Sequence, residues 1–100
     1  MVSTELMFLP MELRQFLKAA TKRERAEVAV VCNDSVSYLY QLAGGHRYAS
    51  ALLATRIEVM TQRVAQRCDG RLRLVPRESL VKYPEIFAIE REVLAVECAT

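Results

Sequence analysis

The sequence predicts a mostly α fold: one domain of four to five short helices, with a short β-strand and a C-terminal segment suited to dimerisation. Three observations predict it. Apolar residues recur at helical spacing, three and four apart, in successive windows between residues 11 and 66. These windows open on residue types that suit helix starts and are separated by Asn, Gly or short polar breaks. One stretch, residues 71–75, alternates polar and apolar in the period of a strand.

Pro10 suits a helix start, and Leu13, Phe16 and Leu17 fall on one face of the helix that follows. Thr21 and Glu24 form a capping box that opens a second helix, with Ala26, Val28, Ala29 and Cys32 as inward positions. The run Asn33-Asp34-Ser35 is a break. Asn tolerates the left-handed conformation, and Ser35 suits the N-cap of a third helix over residues 35–43, anchored by Leu39 and Leu42.

Gly44-Gly45 ends that helix, since glycine accommodates the left-handed residue past a C-terminus. Ser50 caps a fourth helix reaching about Gln66, with Leu53, Ile57, Met60 and Val64 as its apolar stripe. Asp69-Gly70 is a turn, and Arg71 and Arg73 are expected on the solvated face of the strand after it. Residues 85–97 lean towards a helix on their acidic content. The organisation expected is an N-terminal arm over 1–10, a helix-turn-helix domain over 11–66, and a strand with a dimerising extension over 67–100.

Composition narrows the function. One hundred residues suffice for one domain and its core. No apolar run approaches the roughly 20 residues that cross a bilayer. The first ten residues carry Glu5 and no basic residue, unlike the start of a secretory signal. Cys32, Cys68 and Cys98 are widely spaced, and His46 is the single histidine, so neither a zinc site nor a disulfide framework is expected. Reduced thiols suit a cytoplasmic protein. No glycine-rich phosphate loop, paired-carboxylate site or nucleophile with its base is present, so neither enzymatic activity nor a cofactor is expected. Residues 11–75 carry eleven Lys and Arg against six Asp and Glu, whereas residues 76–100 carry three against five. A basic body suits a polyanion partner.

The most informative stretch is Arg25 to Ala43. A small residue, Ala29, stands where two helices must cross closely. Asn33 follows four residues later at a turn position usually held by Gly, and Leu39 and Leu42 follow to anchor the second helix. A helix-turn-helix requires this spacing. It leaves the outer face of the second helix to enter a DNA major groove. Val36, Ser37, Tyr40 and Gln41 are the expected base-reading residues: Gln41 pairs with adenine, Ser37 donates or accepts, Val36 touches a thymine methyl, and Tyr40 stacks or reaches a phosphate. Lys22, Arg25, His46 and Arg47, near the helix ends, are expected on phosphates. Tyr38 is expected to pack against the domain, and Cys32 to be a small buried side chain.

Residues 35–50, Ser-Val-Ser-Tyr-Leu-Tyr-Gln-Leu-Ala-Gly-Gly-His-Arg-Tyr-Ala-Ser, with Leu53-Ala54 and Arg56-Ile57-Glu58 after them, resemble the YdaS/Cro-like helix-turn-helix family of prophage transcriptional regulators. Met11-Glu-Leu-Arg-Gln-Phe-Leu-Lys18 is similar to that family's first helix, so the resemblance spans residues 11–66. It implies a lambda-repressor-like domain of four or five helices that binds double-stranded operator DNA sequence-specifically, usually as a homodimer. An alternative reading is an interaction module on the same scaffold, such as an antitoxin with a toxin as protein partner. In that reading the strand edge at 71–75 pairs with a second copy and the apolar arm Leu6–Leu9 covers a partner.

Overall fold

The computed structural model describes residues 10–88, and within them the fold is mostly helical. Helix α1 spans Leu13–Ala19, α2 Lys22–Ala29, α3 Val36–Ala43 and α4 Ala51–Gln66. Short 3-10 turns follow at Val30–Cys32 and Arg77–Ser79, and a helical turn occupies 85–88. Residues 1–9 and 89–100 lie outside the described residues, so the expected arm, and all but the start of the C-terminal helix, lie there too.

The caps explain where the helices begin. The Thr21 hydroxyl accepts the Glu24 backbone N–H at 3.2 Å, while Glu24 Oε1 accepts the Thr21 N–H at 2.7 Å, closing the capping box. Ser35 and Ser50 each accept the backbone N–H three residues on, from Tyr38 at 3.1 Å and from Leu53 at 3.2 Å. The first helix starts later than Pro10 suggests. The Met11 N–H is drawn off to the Leu74 carbonyl at 3.0 Å, and Glu12 becomes the N-cap.

The α2–α3 connection is a Schellman-type turn. Val30–Cys32 continues α2 as a 3-10 turn, and Asn33 then adopts the left-handed conformation with φ 55°. The Asp34 N–H reaches back to the Ala29 carbonyl at 2.9 Å. Asp34 is itself left-handed, with φ 62°. Two successive left-handed residues turn the chain within three positions, and Asn and Asp are the non-glycine residues that tolerate this best. The end of α3 repeats the device. Gly45 has φ 76°, its N–H bonds the Leu42 carbonyl, and the His46 N–H bonds the Gln41 carbonyl.

The core runs through the centre of this arrangement. Phe16 and Leu17 from α1, Val28 and Ala29 from α2, Leu39 from α3, and Ile57 and Val64 from α4 are fully buried or nearly so. Helix α2 packs on both α3 and α4, and α1 packs on α3. Ala26, expected inward, is exposed; Val28 and Ala29 carry the buried face of α2. On α4, Leu53 and Met60 are half-buried, and the inward positions are Ala54, Ile57, Thr61 and Val64.

Residues 71–75 do not form the expected strand; no strand occurs among the described residues. The segment has no regular secondary structure and no ladder partner. Its backbone groups bond elsewhere: the Val75 N–H to the Thr61 hydroxyl at 2.9 Å, the Leu74 carbonyl to Met11, and the Arg73 N–H to Met11 Sδ at 3.2 Å. Leu72 and Val75, three residues apart, are buried against the helices. The segment is a strap packed on the helices, and its burial does not follow the alternation of its residues: Arg73 and Leu74 are both half-buried.

Arg71 is also reassigned. It is not simply one face of a solvated strand: Nη1 donates to the Ala19 carbonyl at 2.7 Å and Nη2 to Glu24 at 2.6 Å. These bonds fasten the strap to the α1–α2 corner.

Candidate nucleic-acid interface

Helix α3 is eight residues long, and its two faces differ sharply. Leu39 and Leu42 are buried. At 100° per residue, Val36, Ser37, Tyr40 and Gln41 gather on the opposite side. Ser37 is exposed and Tyr40 is 50% exposed, while Val36 and Gln41 are partly covered at the two margins. Val36 packs partly against the core, so it offers an edge where full projection was expected. Tyr38 is half-buried against the core.

The cations expected around this helix divide into two groups. Lys22 is exposed at the first position of α2. His46 and Arg47 are exposed just past the end of α3. Arg47 lies over the Tyr38 ring, 5.8 Å from its centroid, which holds the guanidinium beside the flank of α3. The His46 ring folds back over Gly44, so that a Cβ at Gly44 would stand 2.9 Å from His46 Cδ2. Arg25 belongs elsewhere. Its Nη1 donates to the Leu17 carbonyl at 3.1 Å and the Ala20 carbonyl at 2.7 Å, capping the C-terminal end of α1. The orphan carbonyls of that helix end explain the inward turn.

Comparisons with models of known families, with curated proteins and with solved structures find no match. The site therefore rests on its own geometry.

The structure adds two groups to the neighbourhood. Arg14, exposed on α1, lines a shallow depression together with Leu42 and Ala43 of α3. Its direction was implicit in the sequence, because the inward set Leu13, Phe16 and Leu17 leaves residue 14 on the outer side. Its proximity to α3 was not, since that depends on how α1 packs. Tyr48 is 57% exposed in the loop between Arg47 and the Ser50 cap. The only signal for it was its place between two helix-boundary residues.

A polar cluster lies at the α2–α4 end of the molecule. Glu24 accepts from Arg71 and Thr21 and is also within reach of the Cys68 thiol at 3.4 Å. The Arg71 hydrogen bond, helped by the Thr21 N–H, lowers the Glu24 pKa from the ordinary value near 4.5 to about 2. Arg67 pairs with Glu27 beside it. Burial pushes the Cys68 thiol up, and Glu24 reinforces the shift; burial likewise raises Cys32. Both thiols are held protonated, the weakly nucleophilic form. Among the described residues, no group of three or more His, Cys, Asp or Glu stands together to hold a metal, and no helix is long and apolar enough to cross a membrane.

Proposed function

We propose that this protein is a sequence-specific DNA-binding transcriptional regulator of the helix-turn-helix type, reading the major groove with α3. The observation that carries the proposal is the two-sidedness of α3. Two buried leucines hold it to the body, and Ser37 and Tyr40 lie open on its other side with Gln41 at the margin. The left-handed Asn33 and the buried Ala29 supply the turn and the close helix crossing that such a unit needs. The resemblance of residues 11–66 to the YdaS/Cro-like family points the same way.

In this reading Gln41 and Ser37 supply base-edge hydrogen bonds, while Tyr40 and Val36 supply contact surface. Lys22, His46, Arg47 and Arg14 meet phosphates on either side of the groove. Arg25 is left out of that set, because its role is to cap α1. One such helix reads only a few base pairs, so a homodimer on a palindromic site is expected, with recognition helices about 34 Å apart.

Selection of bound duplexes from a random DNA pool tests the proposal. Enrichment of a palindromic motif is the expected result. Gln41→Ala should lower affinity by about 1–3 kcal/mol and relax the preference at one base pair per half-site. A pool that stays random, or a Gln41→Ala motif identical to the native one, would sink this docking of α3.

A further inference from the structure

A second face that no described residue covers lies on α4. Leu52 is 61% exposed and Val59 is 37% exposed; seven residues apart, they share one side of the helix. Arg56 and Arg63 repeat the same spacing beside them, both exposed, and neither makes an ion pair or hydrogen bond among the described residues. Glu58, the one acid in α4, is turned to another flank, where Oε1 accepts the Arg77 backbone N–H at 3.1 Å.

The chain leaves the described residues beside this helix. Arg77 Nη1 reaches Thr55 of α4 at 3.4 Å, and the Phe87 ring centroid lies 4.2 Å from the Arg77 guanidinium carbon. Phe87 is buried at 2% exposure. Ile86, in the same helical turn, is 41% exposed and so opens away from the molecule's own packing. Residues 89–100 enter the argument through their sequence alone. Ile86, Ile89, Val93 and Val96 recur at intervals of three and four, the a and d spacing of a helix that packs along another helix. The flanking e and g positions are Glu85, Glu90, Glu92 and Glu97, all acidic.

We propose that residues 86–97 of one copy dock on the Leu52–Arg63 face of α4 in a second copy, reciprocally, so that two such contacts make the dimer. Charge selects the pairing. Two α4 faces brought together oppose arginine to arginine, two tails oppose glutamate to glutamate, and α4 against a tail opposes arginine to glutamate. Direction selects the partner, because at the last described turn Phe87 takes the inward position while Ile86, the first residue of the stripe, is exposed. The contact names the self-association surface of the proposed regulator, but it does not rest on DNA binding and uses no residue of the α3 outer face.

A charge-swap experiment on the full chain, read by sedimentation without DNA, tests it. The native chain should be a dimer at micromolar concentration. Arg56→Glu/Arg63→Glu and, separately, Glu90→Lys/Glu92→Lys should each weaken dimerisation at least tenfold, as an order-of-magnitude expectation for like charges opposed in a contact. Mixed one to one, the two variants should form a heterodimer of native strength, since both pairings are again complementary. At concentrations low enough that native and variant chains are all monomeric, melting curves should coincide, because the arginines are exposed on α4 and the glutamates belong to the tail. A native chain that stays monomeric would overturn the proposal. So would variants that dimerise like the native chain, or a mixture that fails to recover, the result expected if each tail lay on its own α4.

Discussion

Thr61 is the polar residue that the core cannot spare. It is fully buried, its hydroxyl accepts the Val75 N–H at 2.9 Å, and it donates to the Glu58 carbonyl at 2.9 Å. Thr61→Val keeps the shape but leaves the Val75 N–H buried without an acceptor. A loss of about 1–3 kcal/mol in urea unfolding is expected. A variant as stable as the native chain would mean that the strap bonds elsewhere. Glu24 offers a second test at this scale. Its carboxyl titrates lower folded than unfolded, so the stability it supplies is present above pH 4.5 and lost as pH falls towards 2. The native melting temperature should fall across that window, and Glu24→Gln should start lower at pH 7 and fall less. Parallel curves for the two proteins would show that Glu24 is not the titrating group.

The elements are short, and their caps matter in proportion. Helix α3 has eight residues, too few to be stable by itself, so tertiary anchoring by Leu39 and Leu42 and the cap at Ser35 share the work. Ser35→Ala should cost about 1 kcal/mol of stability and loosen the first turn, where Val36 and Ser37 sit. Amide hydrogen exchange at Tyr38, whose N–H the Ser35 hydroxyl accepts, should quicken more than exchange in α4. Equal protection in both proteins would deny the cap its role. The same scale separates the predicted cations. Arg47 is kept beside α3 by the Tyr38 ring, whereas Arg25 is consumed by the carbonyls at the end of α1. Both are arginines near helix ends, and only packing distinguishes them.

For the whole molecule, the sequence places an excess of Lys and Arg in residues 11–75 and of acids after residue 76. Part of that basic excess is spent internally, since Arg67 and Arg71 pair with Glu27 and Glu24. Exposed cations without an ion pair among the described residues stand on α1, at the start of α2, past the end of α3 and, as Arg56 and Arg63, on α4. If these meet phosphates, each contact adds about −0.9 to the slope of log affinity against log salt. A slope of about −3 to −4 is expected for one protomer's Lys22, Arg47 and Arg14 with a share from His46. Affinity indifferent to salt would favour the alternative, an apolar protein partner for the same scaffold.

The helices, the caps at Thr21, Ser35 and Ser50 and the left-handed turn at Asn33 were legible in the chain because each depends on neighbours three to five residues away; the Glu12 cap of α1 was not, because it follows from the Met11 contact with Leu74. Periodicity and capping chemistry are local, and the Ala29, Asn33, Leu39 and Leu42 spacing marked the residues that turn and anchor α3. Which side chains stand free was not legible. The strap over 71–75 read as a strand because its residue types alternate, although in the fold the buried pair is Leu72 and Val75. Arg71, Arg25 and Thr61 acquired their roles from partners 52, 8 and 14 residues away. Those partners are chosen when helices pack and orphaned carbonyls and amides must be satisfied, and only the tertiary structure decides that.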